Sequence, residues 1–146
     1  MILVKRALTG YLLLALFIPF FLHKTASACT SIVLTADDGA AVYGRTMEWG
    51  AFDLNSRLVI IPRRYEFQGH TPDGKPGYRW KTRYGAVALD MLEKDYFSDG
   101  MNEKGLVVGV LYHPGFAEYQ SYDPAQATRS MGPTDFPNFV LTQFAT

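Results

Sequence analysis

Cysteine occurs once in this 146-residue chain, at Cys29, directly after the small residues Ala26, Ser27 and Ala28. A cut between Ala28 and Cys29 would give one residue both a thiol and a free α-amine. Such an amine has a pKa of about 7.7–8.0, so a useful fraction is neutral near pH 7. It can take the thiol proton and later return it to a leaving amine, which makes Cys29 its own nucleophile and base. From position alone, two other readings stay open: a lipid attachment point and a buried passenger thiol.

The residues before Cys29 support the cut. Lys5 and Arg6 precede an apolar run from Tyr11 to Leu22, and His23, Lys24 and the Ala-x-Ala sequence follow. This is the order of a secretory signal, so residues 1–28 are read as a signal peptide. The run is shorter than the roughly 20 residues of a spanning helix and contains Pro19, so no stable membrane span is expected after its removal. A lipoprotein signal is the alternative, since a cysteine follows at once. Its usual bulky aliphatic residue is replaced by Ala26. The protein is expected to be exported, to a periplasmic or extracellular location. Removing residues 1–28 takes Lys5, Arg6 and Lys24 and no acid, which leaves eleven basic against 14 acidic side chains.

That mild acidity gives no electrostatic case for a nucleic-acid partner. One cysteine excludes a disulfide scaffold and a multi-cysteine zinc site. His23, His70 and His113 are scattered without ligand spacing, and Asp37-Asp38-Gly39 and Asn102-Glu103-Lys104-Gly105 are turn chemistry, not calcium loops. No metal or cofactor is expected.

The elements that must position Cys29 can be read in order. Residues 30–36 are rich in β-branched side chains and read as a strand, Asp37-Asp38-Gly39 turns the chain, and residues 40–48 return. Cys29 should then face the end of the second strand, at the open end of a hairpin. Residues 57–62 read as a third strand. Residues 63–77, rich in Gly and Pro, read as a surface loop or long hairpin tip. Two strand-like pieces lie in residues 78–91. Residues 97–101 and 106–112 flank a four-residue hairpin loop. Residues 114–133 read as irregular, and a helix starts at residue 136 and carries Pro137 in its first turn. No later element is left for that helix to pack on, and the strands lack a full covering layer. Residues 29–146 are therefore expected to be part of a larger domain.

Four blocks in this order carry a resemblance: Cys29-Thr30-Ser31, Gly44-Arg45-Thr46-Met47-Glu48-Trp49, Asp99-Gly-Met-Asn-Glu-Lys-Gly-Leu106, and Tyr112-His-Pro-Gly115. Together they resemble the choloylglycine hydrolase family, which includes penicillin V acylases and conjugated bile salt hydrolases. These are N-terminal nucleophile hydrolases that cut linear amide C–N bonds outside the peptide backbone. The implied fold class is α+β: the N-terminal part of an αββα sandwich of mostly antiparallel strands, truncated here. The resemblance implies a small-molecule amide substrate and, for a full-length form, a homo-tetramer.

It also assigns roles. Cys29 becomes the nucleophile and Arg45 the cation beside it, which favours thiolate. Glu48 stands where the family commonly has an aspartate that contacts the terminal amine, so the carboxylate is kept and its reach is one methylene longer. Tyr112 falls on the oxyanion-hole position, where penicillin V acylases tend to have Tyr and bile salt hydrolases Asn. Donors of this kind typically contribute about 2.7–4 kcal/mol. That position leans toward an acylase. Met47, Trp49 and Phe52 could line an apolar wall for the acyl group, although such residues are more often ordinary packing. A second oxyanion asparagine and a later arginine of the family have no counterpart here. Residues 29–146 alone are expected to be inactive. The remaining alternatives are a lipidated β-rich binding domain and an inactive fragment of the hydrolase.

Overall fold

The computed structural model describes residues 29–49, 52–112 and 115–146. The segment read as a signal peptide lies outside the described residues. Among them are eight strands: β1 (Ser31–Thr35), β2 (Ala41–Arg45), β3 (Leu58–Ile61), β4 (Glu66–His70), β5 (Pro76–Lys81), β6 (Ala86–Met91), β7 (Lys94–Asn102) and β8 (Val107–Gly109). A 3₁₀ turn at Pro124–Arg129 and one helix, α1 (Asp135–Gln143), follow. No helix among the described residues is long and apolar enough to cross a membrane.

β1 and β2 pair antiparallel, Ser31 opposite Arg45 through Thr35 opposite Ala41. Gly39 supplies the turn's positive φ of 84°, and Asp38 Oδ1 accepts from Ala40 N at 2.9 Å. β3, β6, β7 and β8 form a four-stranded antiparallel sheet in that order, and β4 and β5 form a separate hairpin. In β6, Ala86, Ala88 and Asp90 are buried while Val87 and Leu89 are exposed, so one face of the sheet is covered.

α1 provides that cover. Leu141 is 1% exposed and sits in a core with Ile61, Phe67, Trp80, Ala86, Ala88 and Phe97. Gly100 makes room for it, because a Cβ there would stand 2.5 Å from a Leu141 methyl. The indole of Trp80 donates to Thr142 Oγ1 at 3.1 Å, and the amides of Arg83 and Tyr84 donate to the Thr142 carbonyl at 3.0 Å. The helix does not need a later element to pack on. Its partner precedes it in the chain, and small residues on β6 and β7 let it approach.

Of the two readings of residues 63–77, the hairpin is the one found: they contain β4, its tip and the start of β5. Gly77 serves close approach rather than a turn: a Cβ on it would meet the Gly69 carbonyl at 2.8 Å. The tip itself is short, with Gly74 at φ 74°. The 114–133 stretch is not wholly irregular either, since Asp123 Oδ1 caps the 3₁₀ turn by accepting from Ala125 N at 2.9 Å.

The opposite face of the four-stranded sheet is open and apolar. Leu58 is 70% and Ile60 80% exposed, and Val87, Leu89 and Met101 share their side. One antiparallel sheet with a helix on one face and an uncovered apolar face is α+β, and matches part of an αββα sandwich of the N-terminal nucleophile hydrolase type.

Candidate active site

The first hairpin sets the site. Ser31 opposes Arg45, Thr46 N donates to the Thr30 carbonyl at 2.9 Å, and Thr30 N donates to Thr46 Oγ1 at 3.2 Å. The ladder thus closes one residue after Cys29. Directly opposed residues share a face, and alternate residues on one strand do too. Cys29 therefore continues the side of the hairpin that carries Tyr43 and Arg45. The expected meeting of Cys29 with the end of the second strand holds.

Arg45 reaches inward from this exposed hairpin. Its side chain is 7% exposed. One terminal nitrogen donates to Asp99 Oδ2 at 3.0 Å and to the Val110 carbonyl at 2.7 Å, with the Ser98 carbonyl at 3.4 Å. Nε donates to the Thr46 carbonyl at 3.2 Å, and the other terminal nitrogen lies 3.6 Å from the Met47 sulfur. A fork with several donors suits such a cluster of acceptors, where an ammonium would satisfy fewer.

Asp99 is the residue that sequence reasoning missed. Its second oxygen accepts from the Tyr43 hydroxyl at 2.9 Å. Burial pushes the Tyr43 phenol up, as do the hydrogen bond and charge of Asp99, while the Arg45 charge pulls it back. The Cys29 sulfur lies within electrostatic reach of the same phenol. Gly109 completes the fit, because a Cβ there would overlap the Tyr43 hydroxyl and stand 2.9 Å from Asp99 Oδ1. Two signals could have found this cluster. Tyr43 alternates with Arg45 on β2, and Asp99 opens the Asp99–Leu106 block.

The rest of that block is structural. Asn102 Oδ1 accepts from Lys104 N at 2.9 Å and Leu106 N at 3.1 Å, while its Nδ2 donates to the Leu141 and Phe144 carbonyls at 2.8 and 2.7 Å. It closes the β7–β8 turn and ties it to the end of α1. Glu103 receives Arg63 at 2.7 and 2.9 Å and Gly85 N at 2.8 Å. Those contacts hold its carboxyl below the usual carboxylate range, the Arg63 hydrogen bond most.

Glu48 lies three residues past Arg45 on exposed chain beyond β2. Trp49 stands 5.9 Å from Phe52 and 5.8 Å from Tyr112, ring centre to ring centre. With Met47 against Arg45, these residues make an exposed apolar patch beside the cation, not a piece of the core. His113 and Pro114, in the last of the four blocks, lie outside the described residues.

The α+β frame of mostly antiparallel strands is that of a partial N-terminal nucleophile hydrolase fold. The chain belongs to the choloylglycine hydrolase family of linear amide C–N hydrolases, whose family model matches residues 29–146. It is similar to a bile salt hydrolase/transferase of Bifidobacterium longum subsp. longum, 27% identical over 116 residues that make up 80% of this chain and 35% of that protein. A bile salt hydrolase/transferase of Clostridium perfringens is 30% identical over 117 residues, covering 77% of this chain and 32% of its own. A penicillin V acylase of Pectobacterium atrosepticum is 30% identical over 109 residues, covering 72% and 28%. The chain spans about a third of the length of the first two relatives.

Proposed function

We propose that the protein hydrolyses a linear, non-peptide amide with Cys29 as nucleophile. The observation that carries this reading is Arg45: a nearly buried cation fixed on the hairpin side that Cys29 continues. A fixed cation there stabilises the negative charge that sulfur and the attacked carbonyl develop during the reaction. Cleavage after Ala28 would free the α-amine of Cys29 to serve as base. The amine takes the thiol proton and sulfur attacks the amide carbonyl. A donor near Tyr112 holds the oxyanion, with a second donor from outside residues 29–146. The C–N bond breaks, the amine product leaves with the returned proton, and water cleaves the thioester to release the acid and restore the thiol. Glu48 orients the terminal amine from beyond β2. The isolated piece 29–146 is inactive in this account.

On the acyl side we read the site as penicillin V acylase-like more than bile salt hydrolase-like. Tyr112 supports this, as does the Met47, Trp49, Phe52 and Tyr112 patch, which suits a flat aromatic acyl group. The test compares kcat/KM for penicillin V and for glycine- and taurine-conjugated cholate, using protein from the full reading frame. Preference for penicillin V is expected. Preference for the conjugated cholates would overturn the acyl assignment, and inertness toward both and toward other linear amides would overturn the hydrolase. Export, with a mature N-terminus at Cys29, is part of the same proposal, and N-terminal mass analysis of secreted protein checks it.

A further inference from the structure

We propose that Asp99 is a positioning residue for the hydrolase site, holding the Arg45 guanidinium beside Cys29 while Tyr43 fixes Asp99 from the other side. This rests on the hydrolase reading above. Three observations carry it. The two Asp99 oxygens divide their work: Oδ2 takes Arg45 at 3.0 Å and Oδ1 takes the Tyr43 hydroxyl at 2.9 Å. Both charged side chains are nearly buried, at 7% and 13% exposure. A guanidinium withdrawn from water to that degree needs a partner charge to remain there. The third is steric. At Gly109 there is no room for a β-carbon beside the Tyr43 hydroxyl and Asp99 Oδ1, so the absence of a side chain on β8 is what leaves space for these two groups.

The ladder alone does not fix the arginine head. It sets the backbone of Arg45 opposite Ser31, but the long side chain needs acceptors at its tip. The Val110, Ser98 and Thr46 carbonyls supply neutral acceptors. Asp99 is the carboxylate among its hydrogen-bond partners, and the bond crosses 54 residues of sequence from β7 to β2. It couples the exposed hairpin that carries the nucleophile to the covered sheet. Asp99 acts on catalysis only through Arg45, and Tyr43 only through Asp99.

The experiment measures kcat and KM for hydrolysis of penicillin V or conjugated cholate, whichever the unsubstituted protein turns over. Rates are normalised to the Cys29 thiol titrated by iodoacetamide in folded protein. Asp99→Asn is expected to lower kcat about 10- to 100-fold and leave KM within about twofold, as loss of an orienting partner does. Tyr43→Phe removes one hydroxyl and is expected to lower kcat by about two- to tenfold, again without a change in KM. In the double variant, Tyr43→Phe should add less than about twofold to Asp99→Asn, because its route runs through the absent carboxylate. If Asp99→Asn does not fold, the kcat and KM of Tyr43→Phe alone decide. Undiminished kcat in either single variant, losses confined to KM, or multiplicative losses in the double variant would overturn the positioning role while the unsubstituted enzyme stays active. An unsubstituted protein that cleaves no amide would overturn both.

Discussion

The β1–β2 hairpin and the β3-β6-β7-β8 sheet are built in opposite ways. Every residue of β1 is exposed, Ile32, Val33 and Leu34 included. The sheet has buried side chains on one face and α1 seated on them. The hairpin carries Cys29 and Arg45, and the sheet carries the anchors that receive Arg45: Asp99 and the Ser98 carbonyl on β7, with the Val110 carbonyl just past β8. Cys29, the proposed nucleophile, thus precedes an element with little core of its own, tied by a few polar contacts to one that has a core. Damage to the site and damage to the fold should be separable.

The largest separation is expected at Cys29, the proposed nucleophile. Cys29→Ala should remove at least about 10³-fold of kcat, in line with loss of a nucleophile elsewhere. Its melting temperature should stay within error, since the ladder begins after it. Paired turnover and thermal-melt measurements check this, and a large fall in melting temperature would dissolve the contrast. Leu141→Ala is the mirror experiment. Truncating this fully buried residue should cost about 2–5 kcal/mol of stability. In denaturant titration the midpoint should fall, while activity per folded molecule stays near normal.

Arg45→Gln falls between the two because it belongs to both regions. Removing the cation should lower turnover about 10- to 100-fold, as loss of a charge at the proposed reacting centre does. It should also destabilise, since Asp99 would stay nearly buried without its partner charge. Turnover per folded molecule reports the first effect, and thermal melting reports the second.

The smallest effect is expected at Asp90, on β6 of the sheet and paired with Arg57. Burial raises its pKa, but the hydrogen bonds from the Arg57 side chain and backbone N–H outweigh that and hold the carboxyl below its usual range. A lowered carboxyl pKa means the fold binds the proton less readily than the unfolded chain. Its stabilisation is present above about pH 4, the unfolded value, and fades as pH falls below that. Arg57 is half exposed, so solvent screens the pair. Asp90→Asn should therefore lower the melting temperature modestly at pH 7 and less at pH 3.

Much of the hairpin was legible in the sequence, because β-branched residues and Asp-Gly are local signals that match the structure. The β6–β7 turn was not. Leu92 and Glu93 occupy it at φ 59° and 55°, in a conformation that Asn or Gly would have advertised. The extent of the β4–β5 strands was harder to read, because Gly69 and Gly77 look like loop punctuation but serve close backbone contact, while Gly74 alone marks the tip. The helix was visible, but its seat on Gly100 was not, because that contact is 41 residues away in sequence. At the site, Cys29 and Arg45 were legible through position and resemblance. Asp99 was quoted within a block whose partners only the fold reveals.

All these contrasts depend on Cys29 being the acylated residue. Rapid quenching of the full-length protein with its amide substrate, followed by mass analysis, reads this out. The expected product is a peptide beginning at a free-amine Cys29 whose thiol carries one acyl group, lost on treatment with hydroxylamine. Turnover with no acyl group on Cys29, or a mature Cys29 bearing a diacylglyceryl group, would contradict it.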